Sequence, residues 1–541
     1  MKVVLAFPCQ KRYIHSPSMS ILPIGLLSLA TVLQEAGHEV QIIHLSRFTV
    51  KDGVRLILSE EPELVGLCCF TFQRQRTLQL AVKLREKSDV PIVMGGPHSS
   101  PLAKEILTHC PAVNGVIVGE GERTIVEVIR HLEAGEDVAG LAGTTWRKGD
   151  DIVEGAPVEL VENLDELPSV LSAEISMLGV EKLYQRRHLL TSRGCAARCV
   201  FCRAPEAWGK VVRRHSIERI LWEVDQLREK YGLLHISFRD DTFTDDREWT
   251  LSLCAELKNR NVLWDCQSRV TALDLELLKV MRQSGCVQVQ LGVESGSDRV
   301  LSYLRKPFNV KIAEETINQC RQVGLPFSLY IIVGVPEESR QDVQASEKLV
   351  RRVRPASLSV SRLAYYPGTP LSEELPTEEW FKDDRESIFV REDKGAQKAE
   401  KRLLALADEI AEQEPFTEEE LVSAAELNDW APTARLALAR YLDRNGEGER
   451  ALDEYEIIVK EHPQFLWARL EMGDLLLEEG YVEDAEEQLS VVVQEVPLWP
   501  YALDRLGWAK CFLGEEEIGE ELKMRAAQLE PFVDPPPPPG S

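Results

Sequence analysis

The chain lacks any run of about 18 apolar residues, so no membrane-spanning helix is expected. No export segment is expected either. The apolar run of MKVVLAFPCQ stops at Pro8 after about six residues, short of the roughly 7–15 such a segment needs. Positive charge is in deficit: 63 Lys and Arg stand against 89 Asp and Glu, a net −26. Such a chain repels polyphosphate, which argues against nucleic acid as a partner. Twelve cysteines without an export signal read as reduced thiols of a cytoplasmic protein, with any clustered ones binding metal. At 541 residues and 44% hydrophobic content, the chain predicts three or four domains of roughly 100–200 residues.

Residues 1–134 alternate short β-branched runs (KVVLAFP, EVQIIHL, ELVGLCCF, PIVMGG, GVIVGEG) with helical patterns such as LLSLATVLQEAG and TLQLAVKLREK. That alternation predicts an α/β fold, a doubly wound parallel sheet with ligands at the carboxyl ends of its strands. Those ends carry Gly95-Gly96-Pro97-His98 and Gly119-Glu120-Gly121-Glu122, whose glycines suit tight turns equally well. Residues 135–188 read as a connector with a hairpin in GTTWRKGDDIVEG. A second alternation spans 189–370, with strands in HLLTS, HISFRDD, VLWDCQSR, VQVQLGVE, FSLYIIVG and SLSVSRLAYY. Six βα units suit a partial (β/α)6 barrel, again with its chemistry at the carboxyl strand ends.

Residues 371–430 read as an acidic helical linker. From 431 to 531 the chain repeats: Gly446, Gly480 and Gly514 are 34 apart, as are Pro463, Pro497 and Pro531, and Ala439, Gly473 and Gly507. A 34-residue period with small residues at the helix crossing is the tetratricopeptide signature. It predicts an α-helical solenoid with a concave face for a protein partner, or for dimerisation. The Pro-rich tail, 532–541, is expected to be disordered.

The segment LLTSRGCAARCVFCRAP places Cys195, Cys199 and Cys202 in a CxxxCxxC array after the first barrel strand. A closed zinc site wants four ligands and usually a second knuckle, and none follows: Cys254, Cys266, Cys286 and Cys320 are scattered singly. Three cysteines at a strand end suit a cluster with one open iron. This array, with Phe201 before the last cysteine, resembles the signature of the radical S-adenosylmethionine enzymes. The resemblance implies a [4Fe–4S] cluster on Cys195, Cys199 and Cys202. Its fourth iron is held by S-adenosylmethionine, which is cleaved to a 5′-deoxyadenosyl radical, and an electron donor such as flavodoxin or ferredoxin is implied.

FRDDTF, SRVTAL, LGVESGSDRVLSYLRK, IIVGVPEES and YYPGTPL resemble that family's later signatures, in its order. They imply S-adenosylmethionine contacts from Asp240, Asp241 and Thr242, from Arg269 toward the carboxylate, and from Glu294 and Ser295 toward ribose. Gly334 would shape backbone near adenine. Trp208, Tyr330, Tyr365 and Tyr366 are candidates to line a substrate site.

The order PIGLLSLATVLQEAGHEV, LVGLCCFTF, IVMGGPHSS and GVIVGEGE is similar to the cobalamin-binding domain that precedes one large radical subgroup. The cobalt-ligating motif DxHxxG is absent, and His15 lacks its flanking residues. The likeness implies a cobalamin without a protein histidine on cobalt, its tail against Thr71, Gly95, Gly96, Pro97, His98, Ser99, Gly119, Glu120 and Gly121. Phe72 or Gln73 would face the ring. A competing likeness is to methylthiotransferases, with a second cluster on Cys9, Cys68 or Cys69, and Cys110, but the flanking motifs differ. Two bound cofactors imply methyl transfer to an unactivated carbon of a small molecule or peptide through the 5′-deoxyadenosyl radical and methylcobalamin. A cyclase or rearrangement enzyme without methyl transfer is the alternative, and a non-enzymatic repeat scaffold the bland reading.

Overall fold

In the computed structural model, residues 1–8, 21–172, 174–382, 388–427 and 431–529 are described. Cys9, His15 and the Pro-rich tail lie outside the described residues. Packing divides the chain into two units. One comprises Met1–Gln185, Ser192–His215 and Leu363–Glu392; the other comprises Arg186–Thr191, Ser216–Arg362 and the chain from Asp393.

The first unit is built on an eight-stranded sheet. Its strands are β1 (Lys2–Phe7), β2 (Glu39–His44), β3 (Leu64–Cys68), β4 (Ile92–Gly95), β5 (Gly115–Ile117), β6 (Thr144–Lys148), β7 (Asp151–Glu154) and β8 (Ser176–Leu178). Their order is β7-β6-β5-β4-β3-β1-β2-β8, parallel except for the β6–β7 hairpin at one edge. The stretch read as a connector thus supplies both edges of the sheet. β1 shows why the fold closes. Val3, Leu5 and Phe7 pack against Leu26, Ala30, Val128 and Ile129 on one face. Val4 and Ala6 pack against Ile57, Leu80, Leu84 and Ile106 on the other. A strand's two-residue period and helices on both faces produce that division. The chain runs from β2 back across β1 to β3, so the strand order reverses beside β1, the point where such sheets bind ligands.

A two-stranded hairpin of β10 (Ser192–Arg193) and β11 (Arg213–Arg214) also belongs to the first unit and brackets the cysteine segment. Leu363–Glu392, which includes Tyr365 and Tyr366, joins this unit too.

The second unit contains six parallel strands in sequential order: β9 (His188–Leu189), β12 (His235–Phe238), β13 (Leu263–Ser268), β14 (Cys286–Glu294), β15 (Phe327–Val333) and β16 (Ser357–Arg362). Sequential parallel order is the progression of a barrel, here of six strands. Five of the intervening helices start on side-chain caps: Ser216, Asp246, Asp274, Asn309 and Ser339 each accept from a backbone N–H of the first turn.

Among the described residues, eight helices follow from Lys394. Three hairpins among them begin at Pro432, Leu466 and Pro500, and their second helices at Gly448, Val482 and Glu516, the 34-residue step of the sequence. A Cβ on Gly473 would lie 2.7 Å from the Leu489 side chain, so the period's small residue is where two helices touch. This array packs on the barrel within one unit. Thr433 donates to the Arg282 carbonyl at 2.5 Å. Leu234, Leu263 and Val287 share a core with Leu466 and Leu470.

Candidate functional site

The cysteine segment leaves β10 through Gly194, whose φ of +114° and whose approach to Val211 (2.4 Å from a Cβ to its carbonyl oxygen) only glycine meets. Cys195 is buried; Cys199, Phe201 and Cys202 are half-buried. The loop closes on its own backbone: the Cys195 N–H donates to the Gly209 carbonyl at 3.2 Å, and the Cys202 N–H to the Cys199 carbonyl at 3.3 Å. Among the described residues no three His, Cys, Asp or Glu side chains converge as they must on one metal ion. Three thiols spread over one loop instead suit a cluster, whose cysteines each hold a different iron.

Four buried charges fasten this loop. Glu120 and Glu122 follow β5, and Arg193 and Arg213 sit on the hairpin strands. Arg213 donates to both oxygens of Glu120, at 2.7 and 3.0 Å. Arg193 lies 2.6 Å from Glu122 and 3.3 Å from Glu120, with its guanidinium 5.0 Å over the Trp208 ring. Glu120 also accepts from the Val161 N–H at 2.9 Å, and Glu122 from the Ser28 hydroxyl at 2.8 Å. Burial alone would push the Glu120 carboxyl up, but the Arg213 hydrogen bonds, the Val161 N–H and Arg193 outweigh it and hold it below the usual range. The Glu120 carboxylate is therefore spent on the cysteine hairpin, and Trp208 serves as the floor for Arg193.

A second tie comes from Arg203, next to Cys202, whose Nε donates to the Pro97 carbonyl at 3.4 Å. At that turn Gly95, Gly96 and Pro97 are half-exposed, while His98 and Ser99 are buried. Gly96 has φ +106°, and a Cβ there would meet the Cys69 carbonyl at 2.9 Å. The Thr71 hydroxyl lies 3.3 Å from His98 Nδ1, and the His98 ring stands edge-on to Trp380 at 5.7 Å. Burial, then the Arg74 charge, lower the His98 ring to about 3, so it is a neutral, internally engaged histidine. Gln73 is buried; Phe72 is half-buried against Tyr366 and Phe389. Gly119 is exposed and Gly121 half-buried. The rim beyond β3, β4 and β5 thus offers mostly backbone and an aromatic edge, a surface that fits a flat, amide-rich cofactor at the sheet's switch point.

In the second unit, Asp240 is fully buried and accepts from Thr191, at 3.1 Å from its N–H and 2.8 Å from its hydroxyl. Asp241 is exposed yet surrounded by protein; loss of water, then the Asp240 charge, raise it to about 6. The Thr242 hydroxyl turns back to the Asp241 carbonyl at 2.7 Å. Arg269 is paired with Asp245, a partner the sequence reading did not include. Glu294 ends β14 at φ +71°, buried, with Lys306 at 3.1 Å; burial raises its carboxyl and Lys306 opposes the rise. Ser295 is buried and accepts from the Ser297 N–H at 3.1 Å. The Gly334 N–H, on a φ of +76°, donates to Glu338 at 2.7 Å. Asp240, Asp241, Thr242, Arg269, Glu294, Ser295 and Gly334 all lie at or just beyond carboxyl ends of strands.

Sequence reasoning missed Arg193, Arg213, Arg203 and Lys306. One signal was available: arginines flank the cysteines on both sides, and two glutamates, Glu120 and Glu122, stand one residue apart at a strand end.

Comparison with known proteins defines the class. Residues 13–129 match the B12 binding domain and residues 189–350 the radical SAM superfamily. An uncharacterised methyltransferase of Pyrococcus horikoshii is 29% identical, over 69% of this chain and 83% of that one. The anaerobic magnesium-protoporphyrin IX monomethyl ester cyclase of Rubrivivax gelatinosus is 25% identical, over 65% and 66%. Among solved structures, the fold is similar to the radical S-adenosylmethionine methyltransferase TsrM of Kitasatospora setae, solved with cobalamin and a [4Fe–4S] cluster bound. The TM-score is 0.58 and the identity 20%, over 70% of this chain and 75% of that one.

The chain is thus an enzyme that joins a B12-binding domain to a radical S-adenosylmethionine domain. Its cofactors are cobalamin, a [4Fe–4S] cluster and S-adenosylmethionine. Among the described residues no helix is long and apolar enough to cross a membrane.

Proposed function

We propose that the enzyme transfers a methyl group to an unactivated carbon, and that Cys195, Cys199 and Cys202 ligate its cluster. When bound, the cofactors supply hydrogen abstraction and a methyl group; the chain supplies position and exclusion of water. The Glu120, Glu122, Arg193 and Arg213 quartet fixes the cysteine hairpin against the sheet that carries the B12-binding match. Thr71, Phe72, Gln73, Gly95, Gly96, Pro97, Gly119 and Gly121 form the cobalamin rim, with His98 bracing it from beneath. Asp241 takes the ammonium of S-adenosylmethionine, and Asp240 holds the strand end that carries it. Glu294, held by Lys306, meets ribose hydroxyls.

The observation that carries this reading is the direct fastening of the cysteine hairpin to the strand ends after β5 by two buried arginines. The test uses anaerobically reconstituted protein with reductant, S-adenosylmethionine and cell extract. Equal amounts of S-adenosylhomocysteine and 5′-deoxyadenosine support methyl transfer. 5′-Deoxyadenosine alone would favour the cyclase reading, which the Rubrivivax relative motivates.

A second cluster in the first unit is disfavoured. Cys68, Cys69 and Cys110 are all buried, and burial raises each thiol, Cys69 to about 12. The 34-residue helical hairpins support tetratricopeptide repeats, with a protein or peptide on their concave side.

A further inference from the structure

One face of the second unit's sheet is polar where a barrel is normally filled with branched apolar side chains. Phe238, Trp264, Cys266, Leu291 and Leu329 point toward the helices and are fully buried. The opposite face runs in three layers across the strands. Ser237, Asp265 and Gln288 are neighbours in the first. Gln267, Gln290, Ser328 and Ser357 form the second. Gly292, Tyr330 and Ser359 form the third, nearest the carboxyl ends.

The first layer satisfies itself: Asp265 accepts from Ser237 at 2.7 Å and lies 3.2 Å from His235 and 3.4 Å from Arg187. Higher up, Tyr330 donates to Gln290 at 2.6 Å, and both stay half-exposed, as do Gln267 and Arg239. Arg239 is the unbalanced charge. Its guanidinium makes a long hydrogen bond to Ser237, 3.5 Å, and among the described residues it makes no ion pair. Two other half-buried arginines of this unit are paired, Arg269 with Asp245 and Arg321 with Glu420. Its charge reaches the Tyr330 hydroxyl, opposing the rise that burial causes there. A half-buried cation without an anion, in a polar recess, is arranged for a ligand that brings the anion.

We propose that this polar face is the substrate site and that the substrate is a hydrophilic molecule carrying a carboxylate or phosphate for Arg239. Tyr330, Gln267 and Gln290 hydrogen-bond its neighbouring groups. This rests on the radical-enzyme reading and narrows it: a hydrocarbon or a flat macrocycle has nothing to offer these side chains.

The test uses reconstituted full-length enzyme with reductant and S-adenosylmethionine. 5′-Deoxyadenosine is measured after adding heptane-soluble, anion-exchange-unretained and anion-exchange-retained fractions of cell extract. Stimulation by the retained fraction is expected, falling roughly 30-fold or more in Arg239→Gln, as when one partner of a desolvated charge pair is lost. Tyr330→Phe, which keeps the packing, should lose about two- to tenfold. Stimulation by the heptane or unretained fraction, or by none, overturns the proposal. Equilibrium dialysis with S-adenosylmethionine separates the two sources of a carboxylate: a matching loss of its binding in Arg239→Gln assigns Arg239 to the cofactor and also overturns it. Basal 5′-deoxyadenosine release by the unsubstituted enzyme tests the underlying reading separately.

Discussion

Arg213 grips both carboxylate oxygens of Glu120, at 2.7 and 3.0 Å, across 93 residues of sequence. Both side chains are almost wholly buried, so the pair is a fixed joint between the strand end after β5 and the hairpin that carries the cysteines. Breaking a buried pair by removing one charge costs about 3–5 kcal/mol, since the other is left uncompensated. Glu120→Gln should therefore lower stability to urea by that order and reduce iron retained after reconstitution. Unchanged iron content with unchanged stability would show that the hairpin is held otherwise.

Asp241 predicts a pH dependence. Its carboxyl is raised to about 6 by loss of water and by Asp240, so it ionises as pH rises through 6. A cationic ammonium binds the ionised form. S-adenosylmethionine binding should tighten between pH 5 and pH 7, by at most about tenfold per unit, and Asp241→Asn should flatten the profile. Equilibrium dialysis across that range checks it.

Gly96 leaves no room for a side chain: its φ is +106° and a Cβ would stand 2.9 Å from the Cys69 carbonyl. Gly96→Ala should cost about 1–3 kcal/mol in backbone strain and lower the cobalt retained per chain. Thermal unfolding and metal analysis measure the two effects.

The helical array is not an independent appendage. Leu234, Leu263 and Val287 of the barrel are buried in its core, each worth about 1.5–3 kcal/mol when covered. A chain ending at Leu427 should lose cooperative unfolding and aggregate, which light scattering on expression would show; a monomeric truncation with intact unfolding cooperativity would contradict this.

The strands were legible because runs such as KVVLAF and FSLYIIV satisfy β propensity and two-sided burial at once, and the 34-residue helical step was legible because the same small residues recur. The cysteine loop was legible from spacing. What stayed hidden is tertiary. Glu120 lies at a strand end, where a ligand role was the natural expectation, and its partner is far away in sequence. Arg269 was expected to hold a carboxylate of the cofactor, but Asp245, in the loop after β12, supplies one. Tyr365 and Tyr366 follow the last barrel strand yet return to the first unit, a path no local pattern encodes.

Metal analysis of anaerobically purified, reconstituted protein tests the central claim most directly. Four irons and one cobalt per chain are predicted, with 5′-deoxyadenosine released on reduction with S-adenosylmethionine and lost in Cys195→Ala, Cys199→Ala and Cys202→Ala. Eight irons without cobalt, a single zinc, or release that persists in those variants would contradict it.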